Sequence, residues 1–274
     1  MPELPEVETV ARDLRGAVTG RRIDAVQVIR PDVVRYPDGN ALAALLEGQT
    51  FAAVERFGKY LLLGLDSGDD LMVHLGMTGH LLVCDAGAPV AKHTHLRAAL
   101  DDGRELRFDD ARRFGRVAYG SRAALREARV LPRLGVEPLS PAFSQASLDA
   151  VLRHTTRTVK AALLDQKGVA GLGNIYIDEA CFKAGVRPTH RCHRLTRRQR
   201  EALHDAIRQV LLAAVANRGS SIDDYRDVWN ARGDNQERLL VYGRGGEPCV
   251  QCGATLRRTQ TAGRTTVFCA TCQR

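Results

Sequence analysis

Residues 249–272 read CVQCGATLRRTQTAGRTTVFCATC and carry two Cys-x-x-Cys pairs separated by sixteen residues. The four thiols belong to Cys249, Cys252, Cys269 and Cys272, and this spacing is typical of a tetrahedral zinc site with a β-hairpin between the pairs. Because four protein ligands leave no position open for water, the pattern predicts one structural Zn²⁺, with redox-active cysteines as the alternative. Such a site would contribute roughly 10 kcal/mol to the folding of a segment that is too short for a core of its own.

The predicted hairpin turns at Thr261-Ala262-Gly263, and Arg264 follows the turn. No Asp or Glu occurs between residues 249 and 274, so the tip is expected to be positively charged. A guanidinium holds a phosphate with two parallel N–H donors. Arg264 is therefore a candidate contact for a DNA backbone, and a solvated basic rim is the alternative.

Upstream of the cysteines, residues from about 144 to 216 show helical periodicity. They include GVAGLGN at 168–174, whose glycines run GxxGxG and follow no strand, so a dinucleotide-binding loop is disfavoured. Two helices joined by such a turn are instead similar to a helix-turn-helix element, with Asn174 placed to hold a phosphate. An ordinary helix N-cap is the alternative role for Asn174.

The first 120 residues or so consist of short β-rich runs, with a hairpin signal at Asp101-Asp102-Gly103 and a helical pattern from Pro5 to Gly16. Prolines and a glycine between Leu131 and Pro141 mark the boundary between this β-rich part and the helical part. The order of patterns predicts an α+β protein with an N-terminal β-sandwich and flanking helices, followed by a helical domain and a β-hairpin.

The 274 residues carry 40 Lys plus Arg against 32 Asp plus Glu, a formal net charge of +8. Basic side chains gain affinity for polyanions by releasing counterions from phosphates, so a nucleic-acid partner is favoured over a merely basic protein. No apolar run reaches the roughly 18 residues of a membrane span, and the acidic start is unlike a signal peptide. An odd total of seven cysteines favours a reducing compartment, so we expect a cytosolic protein without a membrane partner.

The chain begins MPELPEVETV. If Met1 is removed, Pro2 becomes a terminal secondary amine, which is partly unprotonated at neutral pH and can act as a nucleophile. Attack on C1′ of a damaged nucleotide would expel the base and form an iminium that permits elimination along the sugar. Glu3 is the adjacent candidate general acid and base. An ordinary frayed chain start is the alternative.

Motifs along nearly the whole chain, taken together, resemble the formamidopyrimidine and endonuclease VIII family of DNA glycosylases. They are PELPEVET, FGKYLLL with Lys59, HLGMTG with Met77, RRFG with Arg112 and Phe114, GLGNIY with Asn174, VYGR, and the two terminal cysteine pairs. The resemblance implies an α+β fold in which a helix-two-turns-helix domain carries a zinc-ribbon β-hairpin and DNA lies between the domains. The implied segments are 1–131 for the catalytic β-sandwich, 132–143 for a hinge, 144–240 for the helix-two-turns-helix domain with a lesion loop, and 241–274 for the zinc-ribbon finger.

The resemblance also implies roles for individual residues. Pro2 is implied as the Schiff-base nucleophile, Glu3 as the general acid, Lys59 as a catalytic lysine and Arg264 as the finger arginine that holds the phosphate of the flipped nucleotide. Met77, Arg112 and Phe114 are implied to fill the gap left by that nucleotide. Further implied DNA contacts are His93, His95, Lys160 and Asn174.

The resemblance implies a bifunctional glycosylase and abasic-site lyase of base excision repair. It would act as a monomer on damaged double-stranded DNA, remove 8-oxoguanine and formamidopyrimidines, and cut the backbone by β,δ-elimination. An endonuclease VIII-like enzyme for oxidised pyrimidines is one alternative, and a noncatalytic lesion-binding module is the other. The chain has Ala111 where the family has proline, and it lacks the family's Pro-Gly-x-Phe-Gln segment ahead of VYGR. The resemblance therefore carries over least around GSSIDDYRD, the loop that in the family closes over the flipped base, and this loop bears on lesion preference.

Overall fold

The computed structural model describes residues 1–222 and 224–274, which form two compact units. The first unit comprises Met1–Arg133 and Asn217–Asp234, and the second comprises Leu134–Ala216 and Asn235–Arg274. The fold is of the predicted α+β class, with a β-sandwich in the first unit and helices with a β-hairpin in the second. No helix among the described residues is both long and apolar enough to cross a membrane.

The first unit opens with helix α1, Leu4–Val18. Glu3 is its N-cap, Pro5 lies in its first turn, and a capping box joins Glu3 and Glu6. Proline suits this position because its missing N–H would have no helical acceptor there. The predicted helix at the start of the chain is therefore confirmed, and it begins directly after the Pro-Glu dipeptide.

Two mostly antiparallel sheets follow helix α1 along the chain. In chain order the strands are β1 (Ile23–Val28), β2 (Val34–Tyr36), β3 (Phe51–Phe57), β4 (Tyr60–Leu65), β5 (Asp70–His74), β6 (Gly79–Asp85), β7 (Thr94–Leu100), β8 (Arg104–Asp110) and β9 (Arg116–Gly120). One sheet has the order β1-β7-β8-β6 and the other β2-β9-β5-β4-β3. Strands β7 and β8 pair antiparallel across Asp101-Asp102-Gly103, as the turn signal predicts. Short helices α2 (Leu42–Leu46) and α3 (Arg122–Glu127) complete the sandwich.

A single apolar cluster joins α1 to both sheets. Val10 and Leu14 of α1 lie in it together with Phe51 of β3 and Phe108 of β8, all of them at most 1% exposed. Burying a side chain of this size stabilises the fold by about 1.5–3 kcal/mol. The cluster fixes α1, and with it the chain start, against the sandwich.

The second unit contains the helices α4 (Gln145–Leu152), α5 (Val159–Leu164), α6 (Asn174–Lys183) and α7 (Arg197–Ala216), followed by strands β10 (Arg257–Thr261) and β11 (Arg264–Phe268). The Thr196 hydroxyl accepts a hydrogen bond from the Gln199 N–H at 3.2 Å, so Thr196 caps the N-terminus of α7. The hairpin β10–β11 packs through Val267 against Phe182 of α6.

Residues 217–234 group with the first unit, although the resemblance assigns them to the helical domain. Their polar contacts explain the difference, because Arg218 pairs with Asp13 of α1 at 2.5 Å and the Ser220 N–H donates to Glu6 at 2.7 Å. In this chain the segment after α7 is thus held by the first helix of the sandwich.

Candidate active site and zinc site

The chain start is buried and ordered by α1. Pro2 and Glu3 are both buried, with Glu3 only 2% exposed. The Glu3 N–H donates to Oε2 of Glu6 at 2.8 Å, which fixes the backbone of the dipeptide. A carboxylate at a helix N-terminus is stabilised by the positive end of the helix dipole. The arrangement excludes a frayed start and places an acidic group next to the predicted nucleophile.

Lys59 lies in the β3–β4 turn and is only 7% exposed. Its charge acts on His74 at the end of β5. Burial, then the charges of Lys59 and Arg116, lower the pKa of His74 to about 4. The neutral ring accepts the Gly76 N–H at Nδ1 over 3.1 Å and lies 4.7 Å from the ring of Tyr60. His74 thus orients the turn that leads to Met77, a role that its place within HLGMTG did not reveal.

Met77 and Phe114 lie on two loops that touch. Gly76 has φ +63°, and a Cβ there would lie 2.5 Å from the Phe114 carbonyl carbon and from the Gly115 nitrogen. Only glycine allows this approach without moving the backbone. Met77 and Phe114 are 36% and 50% exposed, which is high for large apolar side chains. The structure therefore brings these predicted gap-filling residues together on one exposed surface.

The loop that carries Arg112 and Phe114 is held by Asp110, which is fully buried. The Asp110 carboxylate accepts the Thr78 hydroxyl at 2.5 Å, the Arg112 N–H at 3.2 Å and the Gly115 N–H at 2.7 Å. The Arg112 guanidinium lies 4.7 Å from the centre of the Phe114 ring, a cation–π contact. The loop therefore stays constrained although Ala111 stands where the family has proline, since the hydrogen bonds of Asp110 hold the loop.

The two predicted histidine contacts differ in exposure. His93 is exposed directly before β7, where it remains available to a ligand. His95 is 4% exposed, and its Nε2 hydrogen-bonds the Asp110 carbonyl at 2.8 Å. The direct contact predicted for His95 is corrected, because its ring supports the Asp110 loop from inside the sandwich.

The segment 217–234 covers the first turn of α1. Arg218 also pairs with Asp227, whose carboxylate accepts the N–H groups of Trp229 at 3.0 Å and Ala231 at 2.9 Å. Ser221 accepts the Gly233 N–H at 3.0 Å. Asp223, part of the predicted GSSIDDYRD lesion loop, lies outside the described residues. The described part of the loop is anchored by charge and hydrogen bonds of its own.

Asn174 is the first residue of α6, and Gly173 is the N-cap. The alternative of an ordinary Asn N-cap is therefore corrected. Asn174 Oδ1 is buried, and no hydrogen-bond partner for it exists among the described residues. Gln166 fixes the preceding turn by accepting the Gly171 N–H at 2.8 Å and donating to the Leu172 carbonyl at 2.6 Å. A helix N-terminus with a rigid glycine turn is a suitable phosphate site.

Arg264 is exposed at the tip of the hairpin, where it pairs with Thr261 across the turn. Lys160, predicted as a DNA contact, is instead fully buried. Its Nζ lies 2.7 Å from Asp178 Oδ1 and 3.0 Å from the Thr265 carbonyl oxygen. The prediction for Lys160 is corrected, because its ammonium joins α5 to α6 and to the residue next to Arg264.

Two acids of α6 that the sequence motifs did not single out hold the zinc-ribbon segment. Asp178 Oδ2 accepts the Val267 N–H at 3.1 Å, and burial raises the pKa of Asp178 to about 6. The Glu179 carboxylate accepts the backbone N–H groups of residues 240, 241 and 242 at 2.8–2.9 Å. Burial raises the pKa of Glu179 as well, and these three donors oppose that rise.

The four cysteine sulfurs form one cluster in which all Sγ atoms lie within 4.8 Å of one another. Cys249 and Cys272 are 3.9 Å apart, and Cys252 and Cys269 are 3.5 Å apart. A tetrahedron of thiolates with Zn–S bonds of about 2.3 Å has edges of roughly 3.8 Å. The cluster therefore fits one zinc ion with four sulfur ligands, which is a structural site.

The structure thus combines a β-sandwich unit with a helical unit that carries a four-cysteine zinc-ribbon hairpin. Three domain families match successive segments of the chain. Residues 1–117 match the formamidopyrimidine-DNA glycosylase N-terminal domain, residues 134–226 match the formamidopyrimidine-DNA glycosylase H2TH domain, and residues 246–274 match the zinc finger found in FPG and IleRS. The chain belongs to the formamidopyrimidine-DNA glycosylase family.

Individual relatives match over the full length. A formamidopyrimidine-DNA glycosylase of Desulfitobacterium hafniense is 44% identical over 273 residues, covering 100% of both chains. The crystal structure of the MutM (Fpg) protein from Thermus thermophilus is 43% identical with a TM-score of 0.89, covering 99% of this chain and 98% of that one. A point mutant of the Lactococcus lactis Fpg, solved in complex with DNA containing Fapy-dG, is 35% identical with a TM-score of 0.92 and 100% coverage of both chains.

Proposed function

We propose that this chain is a bifunctional DNA glycosylase and abasic-site lyase that excises oxidised purines, 8-oxoguanine and formamidopyrimidines, from double-stranded DNA. The observation that carries the proposal is the buried Pro2-Glu3 dipeptide, whose backbone is fixed by the Glu3 N–H to Glu6 hydrogen bond of 2.8 Å. A nucleophile and an acid that are held in fixed positions can form a covalent intermediate and then break it down.

The chemistry begins when removal of Met1 frees the secondary amine of Pro2. Its lone pair attacks C1′ of the damaged nucleotide as the bond to the base breaks, and the departing base takes up the proton of the Pro2 nitrogen. Glu3 protonates the ring oxygen as the C1′–O4′ bond breaks, which leaves an iminium between Pro2 and C1′, and its carboxylate then removes a C2′ proton so that the 3′ phosphate leaves in β-elimination. Removal of a C4′ proton from the conjugated product then expels the 5′ phosphate in δ-elimination. Lys59 supplies positive charge for these steps.

Extraction of the damaged nucleotide leaves a gap in the duplex, and unstacking costs a few kcal/mol. The exposed Met77, Arg112 and Phe114 provide the apolar and charged surface that fills this gap. Arg264 and the N-terminus of α6 at Asn174 bind backbone phosphates, and His93 adds a further contact. Zinc, when bound, holds the hairpin that presents Arg264 and takes no part in the sugar chemistry.

The test of this mechanism is borohydride trapping on a duplex with a preformed abasic site. Protein without Met1 is expected to form a covalent adduct that peptide mass spectrometry locates on residue 2, and protein retaining Met1 serves as the negative control. An adduct on a lysine with residue 2 unmodified would contradict the mechanism. Specific binding without any adduct would instead support a noncatalytic lesion-binding module.

A second candidate function is the excision of oxidised pyrimidines. The Lactococcus lactis Fpg has been solved with DNA containing an oxidised pyrimidine as well as with abasic-site DNA, so such substrates fit that relative. Excision from duplexes with 8-oxoguanine opposite cytosine and with thymine glycol opposite adenine separates the two candidates. We expect faster excision of 8-oxoguanine, and a clear preference for thymine glycol would favour the second function. The proposed enzyme acts as a monomer on chromosomal DNA in the bacterial cytosol.

A further inference from the structure

Glu6 is a buried acid of α1, outside the roles proposed above, whose carboxylate joins two segments that are distant in sequence. Its Oε2 accepts the Glu3 N–H at 2.8 Å, and its Oε1 accepts the Ser220 N–H at 2.7 Å. The side chain is 1% exposed. Only an ionised acid can accept at both oxygens, because the NH₂ group of a glutamine would face one of the two donors. The local chemistry therefore requires a carboxylate here.

The loop backbone also contacts the body of the Glu6 side chain. Gly219 has φ +79°, and a Cβ at this position would lie 2.9 Å from both Cγ and Oε1 of Glu6. The Tyr225 hydroxyl, farther along the same loop, donates to the Glu6 carbonyl at 3.3 Å. The segment that begins at Gly219 is therefore fitted against Glu6 without space for adjustment.

We propose that Glu6 is a positioning residue that couples the 217–234 loop to the Pro2-Glu3 dipeptide. When the Ser220 N–H is in place, the carboxylate is held at Oε1 and presents Oε2 to the Glu3 N–H. Displacement of the loop at residues 219–220 moves the carboxylate and releases the dipeptide. The reactivity of the chain start thus depends on the backbone of a loop whose Ser220 lies 214 positions from Glu6. This inference rests on the proposed function of Pro2 and Glu3.

The first test is Glu6→Gln in the full chain. Three quantities are measured: the single-turnover rate of 8-oxoguanine excision, the rate of borohydride-trapped adduct formation on a preformed abasic duplex, and the Kd for a duplex with a stable abasic analogue. We expect both rates to fall by about tenfold or more, because a charge-assisted bond is lost at the dipeptide. The Kd is expected to stay within about twofold, since the Glu6 side chain is buried.

The second test is Gly219→Ala, with Gly20→Ala as its matched control. Gly20 has φ +80°, and a Cβ there meets nothing within 4 Å, so both variants carry the same backbone strain and only one displaces Glu6. Gly219→Ala is expected to slow adduct formation on abasic DNA about tenfold or more. Gly20→Ala should leave that rate within about twofold of wild type.

Adduct formation at the wild-type rate in both Glu6→Gln and Gly219→Ala would overturn the inference, even if excision of 8-oxoguanine slowed. If Glu6→Gln fails to fold, Gly219→Ala and its control decide the question alone. Failure of the wild type to form any adduct would instead contradict the proposed function, so the two failures are distinguishable.

Discussion

Single residues decide the geometry of the candidate site, and most of them are buried acids whose carboxylates fix the backbone of the site. Asp110 accepts three donors from its own and a neighbouring loop, Glu6 accepts one from the chain start and one from a distant loop, and neither acid carries a role implied by the family motifs. An acceptor of this kind stabilises a loop because each buried N–H that loses its partner costs about 1–3 kcal/mol. The reactive and gap-filling residues are therefore held through their backbones, while their side chains remain available.

Replacement of Asp110 tests this principle. Asp110→Ala leaves the buried Gly115 N–H without its acceptor and removes the carboxylate that accepts the Thr78 hydroxyl and the Arg112 N–H, so the free energy of unfolding should fall by about 2–4 kcal/mol. Urea denaturation measures the loss. The neighbouring Asp109→Ala is the control, because Asp109 Oδ1 has no hydrogen-bond partner among the described residues. Equal losses in the two variants would contradict the role of Asp110.

The His74 ring predicts a specific dependence of stability on pH. Its folded pKa is lowered to about 4, below the ordinary value of 6.5, so the unfolded state binds more protons between these values. The contribution of His74 is present above pH 6.5 and is lost as the pH falls toward 4. His74→Gln should therefore show a smaller decline in unfolding free energy between about pH 6.5 and 4.5 than wild type. Parallel pH profiles would be inconsistent with a neutral buried ring.

At the scale of elements, α1 and α6 serve as the organisers of the two units. Helix α1 carries the chain start and holds the 217–234 loop through Glu6 and Asp13. Helix α6 begins at the turn proposed to bind a phosphate and holds the zinc-ribbon segment through Asp178 and Glu179. In each unit one helix joins a candidate functional residue to a segment that is distant in sequence.

The Lys160–Asp178 pair can be tested at this scale. Asp178→Ala leaves a buried ammonium without its partner and should lower the free energy of unfolding by about 3–5 kcal/mol. The double variant Lys160→Met/Asp178→Asn should lose less, because no buried charge remains and Asn still accepts the Val267 N–H. Glu201→Ala, which removes the exposed pair with Arg197, should cost at most about 0.5 kcal/mol. A double variant less stable than Asp178→Ala would refute this account.

Zinc removal tests the hairpin as an element. Cys269→Ser or chelation should abolish hydrogen-exchange protection in β10 and β11 and weaken DNA binding, while the β-sandwich retains its protection. Cys84→Ser, which alters a cysteine outside the cluster, is the control. Unchanged DNA binding after confirmed metal loss would show that the zinc-ribbon hairpin takes no part in DNA recognition.

For the whole molecule, the net charge of +8 governs the approach to DNA. We expect log Kobs for an undamaged duplex to fall linearly with log salt concentration, since each phosphate contact releases counterions. Arg264→Ala should reduce the magnitude of the slope by about 1, as for the loss of one phosphate contact. Glu201→Ala leaves every basic residue in place and serves as the control. An unchanged slope in Arg264→Ala would place that arginine outside the DNA interface.

The sequence by itself determined those features whose chemistry is local. The spacing of the four cysteines defines the zinc ribbon. Pro5 and the Glu3–Glu6 spacing favour the start of α1, and Asp101-Asp102-Gly103 forms the turn between β7 and β8. Each depends on residues close to one another along the chain, so the pattern can be recognised without the fold.

Only the tertiary structure decided which polar groups are buried and with what they pair. Lys160 and His95 were predicted from the sequence as DNA contacts, yet each lies inside its unit, where Lys160 bonds Asp178 and Thr265 and His95 bonds the Asp110 carbonyl. Glu6 and Ser220 meet although 214 positions separate them. The physical reason is that burial and hydrogen-bond partners depend on packing between distant segments, whereas ligand spacing, helix caps and turns depend on neighbours along the chain.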